Sequence, residues 1–393
     1  MNIAILGQGY VGLALAKAAL VAGHNVTGFD TNVKVIEAIK EQITEDKIIF
    51  NENYLPTNNQ TDIKNHDIYI IAVPTPLNKD NLPDISYLHK ASTLIAVSAP
   101  NGALVINEST SYPGTLKEIV IPQISKSNKA KFLYAAAPER IDPENSKWSI
   151  KNTPRIIAGI DEDSTKAALK FYESICDQVK VVSSPEVAEA AKLFENTFRQ
   201  VNIALVNELA QISERLNISA SEVIAAASTK PFGFMPFNPG LGVGGHCIPI
   251  DPIYLGQKAK SVGATADFID QANKVNQQMP LYILKRIKSL LNNDLNTKKI
   301  CIVGLSYKPN VLDLRQSPSL VLWKELDGQG AKVSFHDEII MDYEGKKSTP
   351  LTQDAFDLVV VAVKHKHLDL NLLKKSSQII FDCTGSIDGC YVL

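Results

Sequence analysis

Three short stretches of the chain combine residue types that could do chemistry. In LGVGGHCIPIDP, Gly242, Gly244 and Gly245 precede His246 and Cys247, and Asp251 follows four residues after the cysteine. Glycines at that density let a ligand meet bare backbone and leave the thiol uncrowded, and a reactive cysteine needs such access plus a nearby positive charge. Cys247 is therefore a candidate nucleophile, set against the alternative of a small buried apolar group. A zinc site from His246, Cys247 and Asp251 lacks the paired Cys or His of the usual ligand spacing, so no metal is expected. In GQGYVG, Gly7 permits a tight turn, Gly9 admits a pyrophosphate to the backbone, and Gly12 allows close helix packing. Asp30 ends the next apolar run about twenty residues on, placed for an adenosine ribose, and its charge favours NAD over NADP. Lys34 is a mild counterargument, because it could answer a 2′-phosphate. The third stretch is Lys192, Asn196 and Arg199, at i, i+4 and i+7, which puts an ammonium, an amide and a guanidinium on one helix face. They could meet one anionic or oxygen-rich ligand, or form a solvated polar face.

The elements that would carry these residues follow from periodicity. Apolar runs at Ile3 to Leu6, Val26 to Asp30, Ile68 to Val73, Ala103 to Asn107 and Phe132 to Ala136 alternate with helical stretches, the rhythm of a parallel sheet wound on both faces. Ser184 can cap a long helix with Pro185 at its first position. Val187, Ala191, Phe194, Phe198, Val201 and Leu205 form an apolar stripe along it, suited to joining domains and serving as a dimer seam. A Gly- and Pro-dense segment from Pro231 to Pro252 is too long for a mere connector. At Lys299 the βα rhythm restarts with KICIVG, KVSFHD, DLVVVAV and QIIFDC. The reading is α/β, two Rossmann-like doubly wound parallel-sheet domains joined by a long central helix and helical region, over residues 1–183, 184–295 and 296–393. His336 to Glu338 and Lys364 to His367 read as strand-end surface.

Composition narrows the function. Forty basic against 42 acidic residues in a chain of 393 leave a formal charge of −2, so no basic field exists for nucleic acid or an anionic membrane. No apolar run approaches the roughly 20 residues that cross a bilayer, and the start of the chain lacks the basic region of a signal peptide. Five scattered cysteines argue for a reducing cytoplasm rather than a disulfide framework.

The sequence resembles the UDP-sugar 6-dehydrogenases essentially end to end. The resemblance rests on GQGYVG, VPTP at Val73 to Pro76, ESTSYPGT at Glu108 to Thr115, PER at Pro138 to Arg140, the Lys192 to Asn196 helix, GGHC with Asp251, and SYKPNVLDLRQSP at Ser306 to Pro318. ESTSYPGT, FRQVNIALVNE and KPFGFMPFNPGLGVGGHCIPIDP look most like the branch acting on UDP-N-acetylhexosamines, closest to UDP-N-acetylglucosamine 6-dehydrogenases. The resemblance implies oxidation of a C6 alcohol to a carboxylate in two NAD-dependent steps, supplying polysaccharide or O-antigen precursors. It implies Cys247 as nucleophile, with Lys192 and Asn196 stabilising oxygen charge at C6, Asp251 bonded to Lys192 or water, and Glu139 assisting proton transfer. Gly7, Gly9, Tyr10, Val11, Gly12, Asp30, Thr75, Thr110 and Arg315 would contact NAD. Arg140, Ile141, Lys192, Asn196, Arg199, Gly244 and Lys308 would line the UDP-sugar, with Lys308 at the diphosphate. Two departures stand out: Ile250 replaces a lysine found in many relatives, and Asp382, Cys383, Thr384 and Gly385 replace a D-x-R-N pattern. UDP-glucose and UDP-N-acetylmannosamine remain alternative substrates, a homodimer or higher homo-oligomer is expected, and the rivals are a hydroxy-acid dehydrogenase or a silent NAD-binding protein.

Overall fold

In the computed structural model, which describes residues 1–45, 52–80, 82–141 and 147–393, the chain divides into two units: Met1–Glu195 with Gln257–Gly263, and Asn196–Gly256 with Ala264–Leu393. The first unit alternates β1 (Asn2–Leu6), α1 (Tyr10–Val21), β2 (Asn25–Phe29), α2 (Val33–Glu45), β3 (Tyr54–Thr57), β4 (Ile68–Ile71), α3 (Ser86–Ser98), β5 (Leu104–Asn107), α4 (Ile121–Ser127), β6 (Leu133–Ala136), β7 (Arg155–Gly159), α5 (Glu162–Ile175) and β8 (Val179–Val181). Its sheet runs β3-β2-β1-β4-β5-β6-β7-β8. The neighbours are parallel except β6 and β7, where the rhythm read from sequence gave no antiparallel pair. Strands such as IYII and LVIN are buried along their whole length because helices cover both faces. Ile3, Ile5, Ile70 and Ile106 enter one core, and Ala4, Leu6, Tyr69, Ile71 and Val105 the other.

The chain continues through α6 (Pro185–Leu216), α7 (Ala220–Ser228), α8 (Asp251–Ser261) and α9 (Asp267–Leu290). Ser184 Oγ accepts the Val187 N–H at 3.4 Å, as the capping pattern anticipates. Asn217, with φ of +55°, ends α6, and Ser219 caps α7 by accepting the Glu222 N–H. The stripe expected along α6 looks outward: Val187, Phe194, Phe198 and Leu205 are exposed. Its buried side mixes the aliphatic Leu193 and Val206 with small and polar residues such as Ala188, Ala204, Ala210, Gln200 and Asn207.

The second unit adds β9 (Lys299–Val303), α10 (Pro318–Gly328), β10 (Lys332–His336), the hairpin β11 (Asp342–Tyr343) and β12 (Lys346–Lys347), β13 (Leu358–Val361), α11 (Leu370–Ser376), β14 (Ile380–Asp382) and β15 (Tyr391–Val392). Its parallel sheet runs β10-β9-β13-β14-β15, repeating the β2-β1-β4-β5-β6 order of the first. Ile300, Ile302 and Val360 face one core and Cys301, Val303, Val359 and Val361 the other, the period-two alternation of a doubly covered sheet. No helix among the described residues is long and apolar enough to cross a membrane.

Candidate functional site

At the carboxyl end of β1 the chain leaves the sheet through Gly7, whose φ is +97° and whose absent Cβ would collide with the Ala72 carbonyl. A Cβ at Gly12 would collide with the Gly7 carbonyl, so α1 can start this close to the strand only with glycine there. Gly9 caps α1 without a side-chain hydrogen bond, and a Cβ there would meet open space. The positive end of the helix, without a side-chain cap, therefore meets room for an anion, with exposed Tyr10 and half-buried Val11 beside it. Asp30, half-buried, accepts the Gln8 N–H at 2.8 Å and the Asn32 N–H at 2.8 Å, keeping lone pairs for a ribose. Thr75 Oγ1 donates to the Thr110 carbonyl at 2.6 Å, so the structure brings these two expected residues together. An uncapped helix start beside a glycine turn and a carboxylate is a cradle that fits a dinucleotide.

Just past the ends of β5 and β6 lies a buried ionic cluster that sequence reading did not find. Arg155 pairs with Glu139 through Nη2, faces Glu108 Oε2 at 3.6 Å through Nη1, and stacks over the Tyr172 ring at 5.0 Å. The Tyr172 hydroxyl donates to Glu108 Oε1. Burial, outweighing Arg155, pushes the Glu108 carboxyl up to about 7. The only clues in the sequence were a glutamate ending the apolar run LVIN and an arginine opening RIIAG. Glu139 Oε1 also accepts the N–H groups of Arg140 at 2.6 Å and Ile141 at 2.7 Å. Both oxygens are thus engaged by donors, and the buried carboxylate holds the Arg140–Ile141 backbone. The Arg140 guanidinium is itself held by Glu195, with Nη2 to Oε1 at 2.6 Å and Nε to Oε2 at 3.2 Å. Lys192 is half-buried on α6.

In the second unit the glycine-rich segment ends at Cys247, whose carbonyl accepts the N–H groups of Ile250 at 3.0 Å and Asp251 at 2.8 Å. The thiol is half-buried and stands one turn ahead of α8, at the positive end of that helix. Asn196 Nδ2 donates to Asp251 Oδ2 at 2.6 Å, so the donor to this buried carboxylate includes the Asn196 amide, where Lys192 or water was expected. Arg199 is exposed, unlike Asn196, which is only 7% exposed, so these two members of the helix triplet do not share an environment. Below Asn196 a ladder of buried amides continues, with Asn276 Nδ2 donating to the Gln200 carbonyl at 3.0 Å and Asn207 Nδ2 to Asn276 Oδ1 at 3.0 Å. Asn207 Oδ1 accepts the Gly240 N–H at 2.8 Å and anchors the start of the segment. The glycines are packing requirements: Cβ atoms at Gly244 and Gly245 would strike Tyr307, and one at Gly242 would press on the Asn276 carbonyl. Pro280 lies inside α9 and cannot supply the N–H that this carbonyl would ordinarily bind.

The Gly245 N–H donates to the Arg315 carbonyl at 2.9 Å. The Arg315 side chain is bidentate to Asp313, with Nη2 to Oδ2 at 2.6 Å and Nε to Oδ1 at 2.9 Å. That hydrogen-bonded carboxylate, with smaller contributions from Tyr307 and the Cys247 sulfur, raises its pKa. Arg315, expected at NAD, thus has its backbone carbonyl tied to the glycine-rich segment that carries Cys247. The chain leaves β9 through Gly304, with φ of +83°, as it leaves β1 through Gly7. Leu305 N–H donates to Asp337 Oδ2 at 2.8 Å, the counterpart of Gln8 and Asp30. His336 to Glu338 and Lys364 to His367 do sit at strand ends, but the surface reading fails for two of them: Asp337 is 1% and His365 2% exposed, because each answers the other's polarity. Thr384, where an arginine was expected, spends its hydroxyl on Asp382 Oδ1 at 2.7 Å, and the same carboxylate accepts the N–H groups of Ser386 and Ile387.

Residues 1–176 match the NAD binding domain of the UDP-glucose/GDP-mannose dehydrogenase family, residues 186–278 its central domain and residues 301–389 its UDP binding domain. Protein CapL of Staphylococcus aureus is 37% identical over 98% of this chain and 96% of its own length. The UDP-N-acetyl-D-glucosamine 6-dehydrogenase of Salmonella typhi is 33% identical over 97% and 95%. The solved structure of a UDP-D-ManNAc dehydrogenase from Pyrococcus horikoshii superposes with a TM-score of 0.89 at 30% identity, covering 100% of this chain and 98% of that one. The chain belongs to the UDP-glucose/GDP-mannose dehydrogenase family; it is an oxidoreductase, and NAD is its cofactor.

Proposed function

We propose that this enzyme oxidises the C6 alcohol of a UDP-N-acetylhexosamine, UDP-N-acetylglucosamine first among them, to the uronic acid. The observation that carries the reading is Cys247, a half-buried thiol ahead of a helix start, on a glycine-rich segment tied to the Arg315 carbonyl. NAD, when bound, supplies the two-electron acceptor for each of two oxidations. The first turns the alcohol into an aldehyde. The Cys247 thiolate adds to that carbonyl carbon, forming a C–S bond, and the oxygen takes a proton to give a thiohemiacetal. The second oxidation removes two electrons and two hydrogens and leaves a thioester, from which water releases the carboxylate and restores the thiol. Asn196, fixed by Asp251, and Lys192 stabilise the oxygen charge that develops at C6. Gly7, Gly9, Tyr10, Val11, Gly12, Asp30, Thr75 and Thr110 hold the dinucleotide. Lys308 meets the diphosphate, while Ile141, Arg199 and Gly244 approach the nucleotide sugar.

The names of the Salmonella relative and of the Pyrococcus structure support the N-acetylhexosamine class and leave UDP-N-acetylmannosamine as the second candidate. NADH released from a panel of UDP-sugars tests both points: two NADH per molecule of one N-acetylhexosamine is expected, and one NADH per molecule of any substrate defeats the thioester route. Cys247→Ser should keep UDP affinity within about twofold and lower turnover by about a thousandfold or more. Full two-step activity in that variant removes Cys247 from the mechanism. We also place the enzyme in the cytoplasm, supported by its five free cysteines, and as a homodimer through the outward stripe of α6. Leu205→Glu should then halve the mass measured by light scattering.

A further inference from the structure

The turn that bears Lys308 is held from other strands. Asn310 sits at φ of +62°, its N–H donates to His365 Nδ1 at 2.9 Å, and its Oδ1 accepts the Lys366 N–H at 2.9 Å. The segments after β9 and β13 are therefore tied reciprocally. Because Nδ1 accepts a backbone N–H, the ring proton resides on Nε2, which faces Asp337 Oδ1 at 3.3 Å. Asp337 also accepts the N–H groups of Leu305 at 2.8 Å, Ile339 at 2.9 Å and Ile340 at 2.8 Å. One buried imidazole thus bonds Asn310 at one end of the Leu305–Asn310 turn and stands against Asp337, which bonds Leu305 at the other end. Within the turn, Ser306 Oγ donates to the Lys308 carbonyl at 2.8 Å. Donor atoms of Asp337, Glu338 and His365 lie within 4.8 Å of one another, a spacing a cation could use. Coordination through Nε2 requires the lone pair that its proton occupies in this tautomer, so the geometry favours an internal tie over a metal site.

We propose that His365 is a positioning residue for nucleotide-sugar binding: it fixes the Leu305–Asn310 turn so that Lys308 is already in place for the diphosphate. The inference rests on the reading that Lys308 meets that diphosphate. A lysine on a fixed turn loses less freedom on binding than one on a mobile loop, so the tie acts on affinity and not on the chemical step.

Titration with UDP alone tests it, using the full chain. In His365→Gln the longer amide can still donate toward Asp337 but offers no acceptor to the Asn310 N–H, and UDP affinity should fall about tenfold. In His365→Asn the carbonyl oxygen falls near the Nδ1 position, and affinity should return to within about threefold of the original. NAD affinity should stay unchanged in both. In a Lys308→Met background, His365→Gln should add less than about a twofold loss, because the two substitutions disable one device. Unchanged UDP affinity in His365→Gln overturns the proposal, as does a parallel loss of NAD affinity or a full additional loss in the Lys308→Met background. If Lys308→Met alone leaves UDP affinity intact, it is the reading of Lys308 that fails. Should His365→Gln not fold, Asn310→Gly, which keeps the positive φ but loses the Lys366 tie, should weaken UDP about threefold, and no change there also overturns the proposal.

Discussion

At the end of β1 the backbone passes Gly7 and enters α1 at Tyr10, whereas at the end of β9 it passes Gly304 and reaches α10 only at Pro318. Both turns use a glycine at positive φ, both bond their first N–H back to the neighbouring strand, and both present the next N–H to a carboxylate at that strand's end. The difference lies in what answers the carboxylate. Asp30 is partly open, and the helix start beside it has no side-chain cap. Asp337 is sealed by His365 and three N–H groups, and α10 is capped by Ser317. One backbone geometry therefore serves as a ligand cradle when its polar groups are left unanswered and as a rigid support when side chains answer them.

Substitutions at the glycines should separate the two turns most strongly. Gly12→Ala and Gly304→Ala each force a carbon into a carbonyl oxygen and should cost about 3 kcal/mol in their own units. NAD binding should be lost in the first and UDP binding in the second; loss of both ligands in either variant would erase the distinction. Next come the carboxylates. Asp337→Asn removes a buried acceptor of three N–H groups and should cost about 3 kcal/mol in a denaturant titration with NAD affinity intact. Asp30→Asn should cost under about 1 kcal/mol yet weaken NAD about tenfold. Equal costs at the two positions would refute the comparison.

The units should also respond to pH in opposite directions. Burial raises the Glu108 carboxyl from 4.5 to about 7, so the folded first unit holds a proton that the unfolded chain releases, and its stability falls as pH rises from about 4.5 through 7. Burial opposes ionisation of Asp337, but His365 and the N–H groups of Ile340, Leu305 and Ile339 outweigh it and hold the carboxyl below its usual value of 3.8. That contribution is present above about 3.8 and is lost as pH falls through the lowered value. Calorimetry of Glu108→Gln and Asp337→Asn should show the first slope flattened near neutrality and the second only in acid. The smallest effect is Ser317→Ala, about 1 kcal/mol from loss of the cap on α10, for which α1 has no counterpart.

Much of this was legible in the sequence because glycine spacing, strand runs and caps are local signals. GQGYVG with Asp30 marked the first turn, the restart at Lys299 marked the second sheet, and Ser184–Pro185 marked the start of α6. What escaped was decided by distant partners. Asp337 and His365 look like surface until the sheet brings β10 beside β9 and β9 beside β13. Nothing in the sequence around Glu139 announces that Arg155 is placed against it. The amides Gln200, Asn207 and Asn276 carry no pattern of their own.

Pro280 and Gly242 are bound to a common fate. The proline denies the Asn276 carbonyl its usual donor, and the glycine lends that oxygen a place to rest. A side chain at position 242 would be tolerable only if the oxygen withdrew into the helix, and it withdraws only if residue 280 regains an N–H. A designer who alters the thiol-bearing segment must therefore reckon with α9 as well, and with the φ of +130° that position 242 keeps.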